Sequence, residues 1–170
     1  MTPPVRVGGP GAYGAALAAL HGGRDVLLDG EDVNVAQEIA LKDEAARLGR
    51  LVLGPCACPG SLPPGPYGVV AVSPQATEEV IAVLTRQGRG GRVLPVGERD
   101  LSAAVCGRAT LQALAVCDAD PAIEAIVLAA ERPAGTVAAL LREAARRLGK
   151  PVVSAAPGEA ASVLARLDAL

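Results

Sequence analysis

Hydrophobic and polar positions along this chain follow two alternating periods. Short runs rich in Val, Ile and Leu are separated by longer Ala- and Leu-rich stretches in which apolar positions recur at helical spacing. That is the pattern of βαβ units built around a parallel sheet. It predicts strands over residues 5–7, 25–28, 50–53, 68–72, 92–96, 122–129 and 151–154. Helices are predicted over 11–20, 76–86, 109–116, 135–148 and 158–167, and another runs from an Asn34 N-cap to about residue 48, with Gly49 as its stop. In that second helix Val35, Ile39 and Ala46 are expected to pack inward, and Glu38, Lys42, Asp43 and Arg47 to face water.

Between the third and fourth strands the texture changes. Pro55, Pro59, Pro63, Pro64 and Pro66 crowd together with Gly60 and Gly65, which neither a helix nor a central strand tolerates. The expected organisation is a truncated Rossmann-like part over residues 1–60, a Pro/Gly linker over 61–67 and a flavodoxin-like part over 68–170. With so few strands the first part is small for an independent domain, and is expected to pack against the second or against a partner.

Composition narrows the function. Apolar residues are 51% of the chain, yet Phe and Trp are absent and Tyr13 and Tyr67 are the only aromatics. The core must be Ala, Val, Leu and Ile, and there are no aromatic platforms for stacking bases. A net charge of −2 also argues against a phosphate-backbone binder, so no nucleic-acid partner is expected. The Arg-rich stretches 86–92 and 142–150 are interrupted by apolar or acidic residues and read as solvated helix faces and ends. No apolar run approaches a membrane span, and Met1-Thr2-Pro3-Pro4 lacks the basic start and apolar core of a signal peptide. The expected location is cytoplasmic. Cys56, Cys58, Cys106 and Cys117 are too few for a disulfide scaffold and are expected as reduced thiols.

Gly9-Pro10-Gly11-Ala12-Tyr13-Gly14 matches a dinucleotide fingerprint between a strand and a helix, and Asp29 ends the next strand. In that reading Gly9, Gly11 and Gly14 let the backbone approach a pyrophosphate and Asp29 holds a ribose diol. Pro10 removes one N–H donor from the loop, and the alternative is a tight turn that seats a helix on the sheet. Cys56-Ala57-Cys58 lacks the second pair or histidine of a zinc site, so no metal is expected. Cys58 is either a nucleophile activated by a helix terminus or a small residue packed at a strand end. Glu98, Asp100 and Glu131 fall at strand carboxyl ends, where ligands bind in open parallel sheets. Carboxylates there serve acid–base chemistry or cap helices, and Asp100 suits the N-cap of a helix beginning at residue 101.

Three segments carry a family resemblance over nearly the whole chain: Gln37-Glu38-Ile39-Ala40-Leu41-Lys42 with Leu51-Val52-Leu53-Gly54-Pro55, Gly97 with Arg99-Asp100-Leu101-Ser102, and Glu124-Ala125-Ile126-Val127 with Glu131. In order and spacing they resemble the FdrA family and the related alpha subunits of succinyl-CoA ligase; Cys58-Pro59-Gly60 resembles the ligase Asn-Cys-Pro-Gly. The resemblance implies a Rossmann-like part followed by a succinyl-CoA synthetase-like flavodoxin unit. It further implies CoA or nucleotide binding through Gly54, Pro55, Ser73, Thr77 and Gly97, with Glu131, Asp100 and Cys58 as catalytic candidates. The implied activity is acyl, phosphoryl or carbamoyl transfer on a small-molecule substrate. It would take place in a homo- or hetero-oligomer with an ATP-grasp or second FdrA-like subunit.

Several positions depart from the ligases. Ser73-Pro74-Gln75 replaces Ser-Gly-Thr, Glu98 stands in the Gly-Gly turn, and the phosphohistidine has no counterpart, since the single histidine, His21, lies on the first helix. A non-catalytic binding or scaffold protein that keeps the fold is therefore the alternative, and a small nucleotide binder using the N-terminal glycine loop is the third.

Overall fold

Every strand carries a β-branched or leucine-rich core, and within each sheet successive strands are joined by a helix long enough to return the chain to the same edge. A computed structural model describes residues 2–56, 60–133 and 135–170. It is an α/β structure of two parallel sheets. The first contains β1 (Val5–Val7), β2 (Val26–Leu28) and β3 (Val52–Leu53) in the order β1-β2-β3. α1 (Ala12–His21) and α2 (Val35–Leu48) cover one face, where Ala16, Leu20, Leu41 and Ala45 pack on Val26, Leu28 and Val52.

The second sheet contains β4 (Tyr67–Ala71), β5 (Gly91–Pro95), β6 (Ala125–Ala129) and β7 (Val152–Ala155) in the order β5-β4-β6-β7. This is the flavodoxin-like order without its last strand. α3 (Pro74–Arg86) and α6 (Ala160–Leu167) pack on the face presenting Val69, Val127 and Val153. α4 (Arg108–Ala119) and α5 (Gly135–Arg147) pack on the other, against Val70, Leu94, Ile126 and Leu128. With no large aromatics to fill gaps, helices sit close: a Cβ on Gly68 would lie 2.7 Å from Cys117 Sγ. Burial pushes the Cys117 thiol up to about 11. Among the described residues no helix is long and apolar enough to cross a membrane.

The sheets share a core. Leu27, Leu51 and Leu53, on the face of the first sheet away from its helices, join the cluster formed by Leu94, Val96 and α4. The Gly54 N–H donates to the Pro95 carbonyl at 3.0 Å, tying the end of β3 to the end of β5. Both carboxyl edges thereby face the same side.

One expectation fails clearly. The inward face of α2 is Glu38, Leu41, Lys42 and Ala45, while Val35 and Ala46 are exposed and Ile39 is half-buried. Asp43 and Arg47 are exposed as expected. The helix turned the other way because its charged residues find partners inside, which counting apolar positions ignores. Its ends are as read: Asn34 and Gln37 form a capping box, and Gly49 closes it in the left-handed conformation.

Candidate functional site

The chain reverses direction across the second sheet at β4. From β4 it leaves over one face through α3 to β5; from β6 it leaves over the other through α5 to β7. The two neighbouring carboxyl ends therefore splay apart, which is where open α/β sheets form their ligand crevice. A hollow of about 500 Å³ lies there, lined by Val72 and Ser73 after β4, Glu98, Leu101 and Ser102 after β5, and Glu131, Arg132 and Pro133 after β6. A second hollow of about 450 Å³ shares Val72 and Glu98 and extends to the first sheet through Asp29, Glu31, Pro55 and Gly97.

A charge network directly below holds the loop that forms one wall. Lys42 is fully buried and donates to Glu38 at 2.5 Å and to Asp100 at 2.8 Å. Arg99 Nε donates to the other Glu38 oxygen at 2.5 Å, and Arg99 Nη2 to the Val33 carbonyl at 2.7 Å. Asp100 also accepts from the Ala109 amide (3.0 Å), the Thr110 amide (2.8 Å) and the Thr110 hydroxyl (2.6 Å). Two cations and two carboxylates compensate one another, and each buried group meets charged or N–H partners, the condition under which buried ions are tolerated. α2 and the turn after β5 are thus clasped side chain to side chain.

That geometry fixes the role of Asp100. It caps α4, whose first amides it receives, rather than a helix beginning at residue 101; residues Glu98–Leu101 form a single 3-10 turn. It is fully buried, away from the crevice surface. Ser73 and Thr77 are likewise buried in the fold. Ser73 is the N-cap of α3, and the Thr77 hydroxyl donates back to the Ser73 carbonyl at 2.7 Å. Glu131, in contrast, is exposed at the crevice rim with no hydrogen bond or ion pair to a described residue. Cys58 lies outside the described residues. Gly54, Pro55 and Gly97 form the sheet junction: a Cβ on Gly97 would stand 2.3 Å from the Pro55 carbonyl oxygen, and one on Gly54 2.4 Å from that of Leu28.

The glycine loop sits at the other carboxyl edge. Gly9 and Gly11 have φ of +78° and +87°, and Gly11 opens α1, as a phosphate loop would. The Gly9 amide, however, donates to the Asp32 carboxylate at 2.7 Å, and Asp29 pairs with Arg6 at 2.8 Å. Gly14 is inside α1 with open space around it. His21 ends α1 and contacts Glu44 of α2 at 2.8 Å. Among the described residues no group of three or more His, Cys, Asp or Glu is placed to hold a metal ion.

Sequence reasoning missed Glu38, Lys42 and Arg99 as site-organising residues. A lysine four residues after a glutamate, flanked by Leu41 and Ala45 in the buried stripe, was the available signal.

No family model matches the chain. It is 32% identical over 161 residues to the uncharacterized protein YahF of Escherichia coli (strain K12), a match covering 88% of this chain. The chain spans 31% of the length of that relative.

Proposed function

We propose that this chain supplies one side of a shared active site for acyl or carbamoyl transfer, as an FdrA-like subunit related to the alpha subunits of succinyl-CoA ligase. One observation carries the reading: the buried Lys42 network sets the Gly97 and Ser102 loop beside Glu131 at the topological switch point, so that Ser102, Glu98 and Glu131 line one crevice. Glu98 and Glu131 would move protons and the Ser102 hydroxyl would orient a small carbonyl substrate. The crevice is rich in carboxylates, and its cations Arg99 and Arg132 already pair with Glu38 and Glu159. Phosphoryl transfer through this chain alone is therefore disfavoured. Any CoA or nucleotide would be held mainly by cationic groups of a partner, of ATP-grasp or FdrA-like type.

The test is to isolate the tagged chain from its own source organism, weigh the native complex and assay it for acyl or carbamoyl transfer. Glu131→Gln should lower turnover by about a hundredfold or more, the usual scale for a general acid–base group, with an unchanged circular dichroism spectrum. A lone chain, or turnover indifferent to Glu131→Gln, would favour the second reading, a non-catalytic binding protein. That reading has its own support, because the hydroxyls of Ser73 and Thr77 and the carboxylate of Asp100 are engaged in the fold.

A further inference from the structure

Beneath α5 lies a further cavity of about 320 Å³, which meets the crevice at Glu131, Arg132 and Pro133 and is at the lower end of the roughly 300–1,000 Å³ typical of small-molecule pockets. Leu114 of α4, Leu128 of β6 and Val152 of β7 form its floor, and Ala138 and Leu141 of α5 its roof. The space exists because α5 is thinly attached: it buries Val137 and Leu141, and leaves Val152 half-buried and Ser154 exposed on the facing side of edge strand β7.

The mouth is polar, and its charges are unevenly engaged. Arg132 pairs with Glu159, which also accepts from the Ala156 amide at 3.1 Å. Arg142 and Glu131 line the same mouth, and neither makes an ion pair or hydrogen bond with a described residue. Arg142 belongs to the α5 stripe of Ala138, Leu141 and Ala145 that faces the cavity, where an amphipathic helix ordinarily carries an apolar residue.

We propose that this cavity binds a small α-amino acid with an aliphatic side chain. The side chain rests on Leu114, Leu128, Leu141 and Val152, the carboxylate meets Arg142 and the ammonium meets Glu131. A ligand carrying both charges answers both unengaged groups. An aliphatic acid would set its carboxylate against Glu131, and an aliphatic amine would leave Arg142 unanswered. The inference shares Glu131 with the shared-site reading but requires neither a partner chain nor turnover, and Arg142, which lines this cavity and not the crevice, tells the two apart.

The test is a two-dimensional amide NMR titration of the isolated chain with L-leucine, 4-methylpentanoate, 3-methylbutylamine and glycine. Leucine should shift the amides of Leu128, Leu141 and Val152, while the acid and the amine each bind roughly tenfold or more weakly. Glycine, without a side chain for the apolar walls, should give no shifts. Arg142 and Glu131 are exposed, so Arg142→Gln and Glu131→Gln should fold normally and each weaken leucine. Arg142→Gln should leave the amine unaffected, and Ala138→Phe, which fills the cavity, should abolish binding. Equal affinity for leucine and 4-methylpentanoate, indifference to Arg142→Gln, or no shifts at millimolar leucine would overturn the proposal.

Discussion

The two carboxyl edges of this molecule differ in where their polar groups are satisfied. At the first sheet the loops satisfy one another at the surface: Asp32 takes the Gly9 amide and Asp29 takes Arg6. At the second sheet the engaged charges lie one layer down, in the cluster of Lys42, Glu38, Asp100 and Arg99, and Glu98, Ser102 and Glu131 are left exposed above it. A glycine pattern reports how closely a backbone can approach a ligand. Whether the approach is open depends on side chains from the neighbouring strand. A crevice with a rigid, internally neutral floor keeps its rim groups available.

Removing Lys42 should break this contrast most severely. Lys42→Met leaves Glu38 and Asp100 buried with a cation missing, and breaking a buried pair in this way typically costs about 3–5 kcal/mol. For a chain of 170 residues that corresponds to a fall in melting temperature of roughly 6–20 °C. Joining Glu38→Leu to it should recover part of the loss, because the remaining Asp100 keeps the Ala109 and Thr110 donors. Denaturant unfolding of the single and double variants measures both. A loss below about 1 kcal/mol for Lys42→Met would mean that the cluster is not dry.

Two glycines separate the edges next. Gly97 has φ of +91° and no room for a Cβ beside Pro55, so Gly97→Ala should destabilise by about 1–3 kcal/mol and displace the Glu98 loop. Gly14 lies in α1 with nothing within 4 Å of its Cβ position. There Gly14→Ala should stabilise by up to about 1 kcal/mol. If the two substitutions moved the melting temperature in the same direction, the junction at Gly97 would be looser than its geometry says.

Much of the fold was legible because local signals agreed with the global one. The Asn34 cap, the Gly49 stop and the hydrophobic runs that became β4 to β7 each point to the same alternation. The site was less legible, for physical reasons. Asp100 looks like the cap of whatever follows it, but the chain makes a short turn and delivers it to a helix starting at Arg108. Lys42 reads as solvent-facing on any hydropathy scale; Glu38 one turn away and Asp100, arriving from 58 residues away, together make its burial tolerable. Periodicity carries no information about such distant compensation.

The smallest test contrasts the buried cluster with a surface one on the same helix. Glu44 of α2 accepts from Arg47 at 2.6 Å and 2.7 Å, and contacts His21 of α1 at 2.8 Å. The Arg47 hydrogen bonds, and then that of His21, hold its carboxyl at about 2 instead of 4.5. A carboxylate whose value is depressed on folding contributes stability above its unfolded value and loses it as protons are taken up on the way down. The Glu44 contribution should therefore be complete above pH 4.5 and fade as pH falls toward about 2. Glu44→Gln should flatten that limb of the stability profile. Because the group is solvated, about 1 M salt should erase most of the difference from the parent protein. The loss caused by Lys42→Met should persist in the same salt, since no counterion reaches a fully buried ammonium. If both variants responded alike to salt, the distinction between a surface-satisfied edge and one organised from below would fail.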